Sequence, residues 1–291
     1  MLSILREYFP ALYRLKKHFK GMWFWLPIIA ILEPGRVPPR RGILRSWCNS
    51  HVIEIRRRAG GSLRCCSAEF FVIVEIYGLA IYECEELNYR QAKRIVDIGA
   101  NVGVATVWLS QMAPDANILA IEPDARSAKL LQENILGSGI SRRAEVVVAA
   151  VGGSTGNGVV IRSPISSTVS QVAPVLMVDP LTRGSGQESA EFISVLTLSD
   201  VLKLTGPIDI MKIDCEGSEF DFFGSATASS LSKIKNIIGE YHLESGSFET
   251  LRECLSAVGF KVRSISENEI VGLFVASRST PDEGLPGTPI D

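Results

Sequence analysis

The chain has 291 residues, of which 46% are hydrophobic and 21% charged, so it can form one sizeable globular core, and wholesale disorder is excluded. Thirty basic residues against 32 acidic residues give a formal net charge of -2, which argues against nucleic acid as a main partner. The six cysteines include no C-x-x-C pair, as expected of reduced thiols in a cytoplasmic protein.

The N-terminal stretch combines a basic cluster with an apolar run. Three lysines lie within residues 16–20, and the apolar residues 22–32 follow. This run is shorter than the ~20 residues that a membrane-spanning helix needs, and no small-residue cleavage site follows it, which disfavours a signal peptide. Two interpretations remain. Residues 8–32 lie on a membrane surface, with the lysines toward anionic lipid, or they pack as an apolar cap on the main domain.

Two segments before residue 94 are predicted from their turns and apolar residues. Prolines and charges make residues 33–42, EPGRVPPRRG, a predicted linker at the end of an N-terminal extension, residues 1–40. Residues 41–93 are interpreted as a cap on the main domain. Within them, alternating residues on both sides of Gly60 and Gly61 predict a β-hairpin. The stretch SAEFFVIVEIYG that follows is interpreted as a helix rather than a buried strand.

From residue 94 onward, strand and helix signals alternate, which is typical of parallel βαβ units. Strands are predicted at 94–98, 118–121, 145–149, 208–213 and 236–240, and helices at about 102–112, 125–136, 220–230 and 248–258. A Gly- and Ser-rich insertion, 152–190, interrupts this alternation.

The last two predicted strands, FKVRSIS and IVGLFVAS, are too close in sequence for a parallel crossover, so they must pair antiparallel. The predicted fold class is α/β, a domain over residues 94–276 whose mostly parallel sheet has helices on both faces and ends in an antiparallel hairpin. Residues 277–291 are predicted to be disordered.

A glycine-rich turn separates the first parallel strand from its helix in RIVDIGANVGVAT, residues 94–106, at the edge where α/β sheets bind ligands. The dinucleotide motif G-x-G-x-x-G would require glycine in place of Asn101 and Val104. A P-loop would require lysine and a hydroxyl residue directly after Gly103, where the chain has valine and alanine. Nicotinamide cofactors and nucleoside triphosphates are therefore disfavoured.

An acidic residue, Glu122, ends the next strand. A carboxylate at this place can accept hydrogen bonds from both ribose hydroxyls of an adenosine-like cofactor. Two structural explanations stay open. Gly99 and Gly103 allow a tight turn and close helix packing, and Glu122 is a solvated acid beside a helix that Asp124 caps.

Four stretches resemble the S-adenosylmethionine-dependent methyltransferases, and more narrowly the FkbM family: VDIGANVG, IEPD, TLSDVL and, most specifically, DIMKIDCEGSEF at 209–220. The resemblance covers about residues 70–276. It implies a Rossmann-like methyltransferase fold with a seven-stranded sheet, and S-adenosylmethionine as cofactor. The implied contacts are the methionine part of the cofactor for Gly99, Asn101 and Gly103, its ribose for Glu122, its amino group for Asp97, and the adenine pocket for the backbone of Ala150.

The candidate catalytic residues are Asp214, His242 and Lys212. Lys212 and Asp214 lie on one face at the end of the strand 208–213, and Glu240 and His242 lie on one face at the end of the strand that follows. Because these strands are expected to be neighbours, their side chains can converge. His242, with a pKa near neutral, is a candidate general base, and Asp214 is a candidate to orient the hydroxyl of an alcohol.

Structural explanations for the same residues stay open. In one, Lys212 is paired with Asp214 or Asp209, because buried charges are usually paired. In the other, His242 is an ordinary hydrogen-bonded histidine. Asp214, Glu240 and His242 form a weak candidate set for a divalent metal ion that lowers the pKa of an alcohol. Glu219 and Asp221 are interpreted as first-turn charges that the helix dipole favours.

Methyl transfer from a sulfonium requires an aligned acceptor and the removal of a proton, but no nucleophilic side chain. We therefore predict a cytoplasmic methyltransferase that acts on oxygen, and the resemblance implies a hydroxyl of a sugar, glycolipid or secondary metabolite as acceptor. Two other classes remain: a Rossmann oxidoreductase with a nucleoside cofactor, and a non-catalytic peripheral membrane protein that residues 8–32 anchor.

Overall fold

The computed structural model describes most of the chain. The described residues are 10–11, 13–21, 52–66, 69–162, 170–174 and 191–278. Several predicted features lie outside them: the apolar run 22–32, the linker 33–42, most of the insertion 152–190 and the tail from residue 279.

The described residues contain thirteen strands, which form three sheets. In chain order the strands are β1 (Ile53–Arg56), β2 (Ser62–Cys65), β3 (Arg94–Ile98), β4 (Asn117–Ile121), β5 (Ala144–Val147), β6 (Ala150–Val151), β7 (Gly156–Arg162), β8 (Ser170–Pro174), β9 (Glu191–Leu196), β10 (Ile208–Ile213), β11 (Ile234–His242), β12 (Lys261–Glu267) and β13 (Val271–Ser277). The main sheet has seven strands in the order β12-β13-β11-β10-β3-β4-β5. All its strands run parallel except β13, which is antiparallel to both of its neighbours. The predicted fold class is confirmed.

Helices connect the strands. They are α1 (Phe70–Ile73), α2 (Val104–Met112), α3 (Ala125–Gly137), α4 (Leu198–Thr205), α5 (Glu219–Gly224), α6 (Ala228–Leu231) and α7 (Phe248–Ser256), and α1 continues directly into a π-helix, Val74–Leu79. The single helix predicted over 220–230 is two short helices. The break occurs because Thr227 begins a new helix, where its hydroxyl accepts a hydrogen bond from the Ser230 amide at 3.1 Å.

The two faces of the main sheet bury separate apolar layers, because successive side chains of a strand point to opposite faces. Ile210 lies in the layer covered by α2, α3 and the π-helix. Its neighbour Met211 lies in the layer covered by α4, α5 and α7. Helices therefore cover both faces, as predicted from the alternation of strands and helices.

The N-terminal segment packs on this domain. Residues 13–18 are helical, and Leu15 and Phe19 are buried in the same layer as α2. The Phe19 ring contacts the Tyr77 ring edge-on, with 4.9 Å between centroids. Residues 13–21 therefore pack on the main domain, whereas the apolar run 22–32, on which the choice between the two interpretations depends, lies outside the described residues. Within the described ranges, no helix combines the length and the apolar character that crossing a bilayer requires.

The predicted hairpin before the main domain is also present. Strands β1 and β2 pair antiparallel on either side of Gly60 and Gly61. Asn134 of α3 fixes the hairpin to the main domain, because its side chain accepts a hydrogen bond from the Arg64 amide at 2.6 Å and donates one to the Arg64 carbonyl at 2.7 Å.

The third sheet lies beyond the third parallel strand. The strand predicted over 145–149 ends at Val147, and the chain re-enters extended structure as β6, which pairs with β9 in a four-stranded sheet of order β6-β9-β7-β8. At the other end, residues 277 and 278, which were predicted to belong to the disordered tail, are part of the fold. Ser277 still pairs with Lys261, and the Arg278 guanidinium donates to the carbonyls of Ile234 and Val258 at 3.0 and 2.6 Å.

Candidate functional site

The carboxyl ends of four neighbouring strands, β4, β3, β10 and β11, form the candidate site. The glycine turn follows β3, Glu122 follows β4, Asp214 follows β10, and His242 ends β11. Ligand atoms of Asp214, Glu240 and His242 all lie within 4.8 Å of one another. The predicted convergence of these side chains is therefore present.

The glycine turn is shaped by close packing. Gly99, Asn101 and Gly103 have φ angles of 69°, 48° and 86°, in the left-handed region that favours glycine. A Cβ atom on Gly99 would lie 1.6 Å from the Asp214 carbonyl oxygen, and one on Gly103 would lie 2.5 Å from Leu131 Cδ1 of α3. The lack of a side chain at Gly99 and Gly103 thus lets the turn approach β10 and α3. This is the close packing that remained open as an explanation for the two glycines.

Glu122 connects the end of β4 to this turn. Its Oε2 accepts a hydrogen bond from the Asn101 amide at 2.8 Å, and its Oε1 accepts one from the Asp124 amide at 2.9 Å. Burial raises the pKa of Glu122 to about 7. Glu122 is therefore not a solvated acid, and each oxygen keeps a lone pair for a further donor.

Ala150 and Asn101 complete the side of the site formed by β3, β4 and β5. Ala150 is buried at the start of β6, where it pairs with Val195, so its backbone follows the end of the third parallel strand as expected. The Asn101 side-chain oxygen is buried and has no hydrogen-bond partner in the part of the chain that the structure describes.

Lys212 and Asp97 form a buried ion pair beneath the turn. They face each other in the register of β10 and β3, with 3.3 Å between Lys212 Nζ and Asp97 Oδ1. Lys212 Nζ also donates to the Gly99 carbonyl at 2.9 Å, and Asp97 Oδ2 accepts from the Thr106 hydroxyl at 2.6 Å. Burial alone would lower the pKa of Lys212, but the charges of Asp97 and Asp214 raise it.

This arrangement differs from the pairing expected for Lys212. The closest partner of Lys212 is Asp97 rather than Asp214, whose Oδ2 lies 3.9 Å away, or Asp209, which instead pairs with Lys235 at 2.6 Å. The Asp97 side chain is 0% exposed, and its partners are Lys212 and Thr106.

His242 lies between two glutamates. Its Nδ1 is 3.2 Å from Glu219 Oε1, and its Nε2 is 3.4 Å from Glu216 Oε2. Burial alone would lower the pKa of His242, but Glu219, Asp214 and Glu216 together raise it to about 9. The imidazole is therefore protonated at neutral pH, which differs from the near-neutral pKa expected for a general base.

Glu219 points into the protein, although its place in the first turn of a helix predicted a side chain exposed to solvent. Its side chain is 0% exposed, and its Oε1 also accepts a hydrogen bond from the Cys215 amide at 2.9 Å. Burial would raise the pKa of Glu219, but hydrogen bonding and charge from His242 hold it below its usual range. Glu219 is thus an ionised partner of His242 rather than a solvated first-turn charge.

Two residues of the N-terminal cap join the site, and the sequence analysis did not predict them. Tyr82 donates its hydroxyl hydrogen to Glu240 Oε1 at 3.2 Å. Glu75 lies in the π-helix, and burial together with the charge of Asp214 raises its pKa to about 7. The signal for Glu75 was its charge within the apolar stretch FFVIVEIYG, and π-helical turns are frequent at functional sites.

Burial and mutual repulsion destabilise the ionised forms of the carboxyl groups on the β10 and β11 side of the site. Burial raises the pKa of Glu240 to about 8 and that of Glu216 to about 7, and the charge of Asp214 contributes to both shifts. Burial also raises the pKa of Asp214, against the opposing effect of Lys212. Groups with raised pKa values can take up a proton near neutral pH, which is what a general base must do.

A mostly parallel seven-stranded sheet with this glycine turn and an acid at the end of the second strand is the architecture of an S-adenosylmethionine-dependent methyltransferase. Residues 97–262 match the methyltransferase FkbM domain, which is more than half of the chain. The chain therefore belongs to the FkbM methyltransferase family, and the predicted resemblance is confirmed. Its cofactor is S-adenosylmethionine, and the buried Asn101 oxygen and the free lone pairs of Glu122 fit the hydroxyl and amino donors of that molecule.

Individual relatives are distant. The AMB antimetabolite synthetase AmbE of Pseudomonas aeruginosa is 25% identical over 249 residues, which covers 75% of this chain and 12% of AmbE. Methyltransferase sdnD of Sordaria araneosa is 24% identical over 214 residues, covering 66% of this chain and 82% of sdnD. A solved O-methyltransferase family protein from Burkholderia thailandensis overlaps 74% of this chain and 60% of its own, with 9% identity and a TM-score of 0.44.

Proposed function

We propose that the protein transfers the methyl group of S-adenosylmethionine to a hydroxyl oxygen of a sugar, glycolipid or secondary metabolite. The observation that carries this proposal is the position of Asp214. Its carbonyl oxygen packs against Gly99 in the turn, and its side chain is 30% exposed, so its carboxylate joins the turn to the group of acidic side chains. An alcohol there would lie beside the methyl donor and beside a proton acceptor.

The cofactor side of the proposal uses the turn and the end of β4. When bound, S-adenosylmethionine supplies a methyl group attached to a sulfonium sulfur, which is already electrophilic. Glu122 would accept hydrogen bonds from the ribose hydroxyls, and Gly99, Asn101 and Gly103 would surround the methionine part. The Ala150 backbone would border the adenine. Asp97 would act through Lys212, which holds the Gly99 carbonyl.

The acceptor side uses the carboxylates. S-adenosylmethionine would supply the methyl group to the substrate oxygen and leave as the neutral thioether, and Asp214 would accept the hydroxyl proton. Lys212, 3.9 Å from Asp214 Oδ2, would stabilise the carboxylate before transfer. His242 would be protonated and held by Glu219. It would therefore donate a hydrogen bond from Nε2 and would not accept the proton of the substrate hydroxyl.

We favour a carboxylate over a metal ion for activating the hydroxyl. Asp214, Glu240 and His242 have the spacing of a metal site, but both ring nitrogens of His242 face glutamates. A divalent ion would have to displace Glu216 from Nε2 and bind next to the Lys212 ammonium.

Asp214→Asn is expected to lower kcat by about 100-fold or more, because general-base catalysis typically contributes 10²–10⁴-fold, while the Kd for S-adenosylmethionine changes little. The measurement is formation of a product 14 Da heavier from a panel of hydroxyl compounds, together with calorimetry of cofactor binding. Asp115→Asn, a matched change at an exposed ion pair with Lys93, should leave both values unchanged. Equal losses of turnover and cofactor binding in Asp214→Asn would remove the proposed role of this residue.

Cofactor affinity is expected to depend on pH through Glu122. The free protein holds this carboxyl at a pKa of about 7, and ribose hydroxyls prefer the ionised form, so binding should lower that pKa. Affinity is then full above pH 7 and declines as the pH falls from 7 toward the lower pKa of the complex. Calorimetric titrations of Glu122→Gln, which removes the charge, should give a weaker affinity with a flatter pH profile. A wild-type affinity that is constant across this range would contradict the assignment.

A further inference from the structure

The charge of the protein is distributed unevenly. Residues 13–21 and 52–65 together contain eight basic residues and one acidic residue, a net charge of +7. Since the whole chain has a net charge of -2, the remaining residues carry a net charge of -9. These two segments are adjacent in the fold, so the positive charge is concentrated on one part of the molecule.

The two segments are joined by direct hydrogen bonds. The Lys20 amide donates to the Arg56 carbonyl at 2.9 Å, and the Arg58 amide donates to the His18 carbonyl at 2.7 Å. The Arg58 guanidinium donates from Nε to the Lys16 carbonyl at 2.7 Å. With Leu15 and Phe19 buried in the core beneath, the segments form one supported surface rather than two loose ends.

The basic surface, defined as Tyr13, Lys17, Lys20, Arg56 and Arg58, is exposed to solvent. No ion pair joins its four cations to a carboxylate among the described residues, where Glu54 is the one acid of the hairpin. The Tyr13 ring is 63% exposed and lies under the Lys17 ammonium, with 5.2 Å from Nζ to the ring centroid. Tyrosine and basic side chains in this combination are typical of membrane interfaces.

We propose that the basic surface docks the protein on an anionic lipid bilayer. A bilayer is flat and contacts one face of a protein. An anionic bilayer attracts the region with a net charge of +7 and repels the rest of the chain, whose net charge is -9, and this difference orients the molecule. A nucleic acid is disfavoured as the occupant, because the whole chain has a net charge of -2. In the sequence, the apolar residues 22–32 follow the surface directly.

The test measures sedimentation of the full chain with phosphatidylcholine vesicles, with and without phosphatidylserine. Binding is expected only with phosphatidylserine, and it should weaken as salt is raised. Each basic residue near an anionic surface contributes roughly fivefold to affinity. The variant with Lys17, Lys20, Arg56 and Arg58 all changed to Gln should therefore bind at least about 100-fold more weakly.

The matched control changes two lysines and two arginines elsewhere, Arg90, Arg142, Lys233 and Lys261, to Gln; all four are exposed. It alters the net charge equally and should bind vesicles like the wild type. The proposal is overturned if the basic-surface variant still binds, if the control loses binding to the same extent, or if neutral vesicles bind equally well. It is also overturned if a tRNA probe binds through these residues while the vesicles do not.

Discussion

Replacing Gly99 with alanine is expected to abolish S-adenosylmethionine binding, with an affinity loss of at least about 100-fold, equivalent to roughly 2.7 kcal/mol. The added Cβ would lie 1.6 Å from the Asp214 carbonyl oxygen. Because that oxygen belongs to the main chain, it cannot move aside without separating β3 from β10. Valine at this position should be at least as damaging, since its side chain is branched. Calorimetry with the cofactor, on protein whose folding is checked by circular dichroism, measures the effect.

Gly139→Ala is the matched control for this change. Gly139 has nearly the same φ, 72° against 69° for Gly99, but a Cβ there would meet nothing within 4 Å. It should cost only the conformational penalty, about 1 kcal/mol of stability, and leave cofactor affinity unchanged. If Gly99→Ala binds the cofactor as well as Gly139→Ala does, close approach to Asp214 is not what requires the glycine.

Lys212→Met is expected to destabilise the folded protein by about 3–5 kcal/mol, because it leaves the Asp97 carboxylate buried without its counter-charge. The Lys212 side chain is 3% exposed and that of Asp97 is 0% exposed, so water cannot replace the lost ammonium. The Gly99 carbonyl would also lose its 2.9 Å hydrogen bond. Urea unfolding followed by tryptophan fluorescence measures the change in the free energy of unfolding.

Two further variants separate the effect of burying the ion pair from the effect of its charges on stability. Lys235→Met breaks the ion pair with Asp209, but the Lys235 side chain is 68% exposed, so this change should cost no more than about 1 kcal/mol. The double change Lys212→Met with Asp97→Asn removes both buried charges and should recover part of the lost stability. Equal costs for Lys212→Met and Lys235→Met would show that the buried pair is not a structural requirement.

The sequence predicted the elements that depend on local patterns. The apolar runs ending at Ile98 and Ile213 identified β3 and β10 with their observed bounds, because buried parallel strands are nearly continuous in apolar residues. Glu122 was identified from its position after the second strand. The short gap between the last two strands identified their antiparallel pairing. Each of these inferences needs only neighbours in the chain.

The features that the sequence could not predict depend on distant pairings. Lys212 meets Asp97 only because the register of two strands far apart in the chain sets them opposite each other. The raised pKa of His242 requires Glu219 to point inward from α5, although a first-turn acid usually points to solvent. Glu75 reaches the site only through the packing of the N-terminal cap. No motif spacing encodes these contacts.

The position of β13 has a consequence for how the sheet assembles. Among the strands that the structure describes, β13 is the last in sequence, yet it lies between β11 and β12, and it covers β11 from Asn236 to His242. Until β13 inserts, β11 presents an open edge of unpaired amides and carbonyls, which invites pairing with another chain. A nascent or truncated chain lacking residues 271–277 would therefore be prone to aggregate at the strand that carries Glu240 and His242.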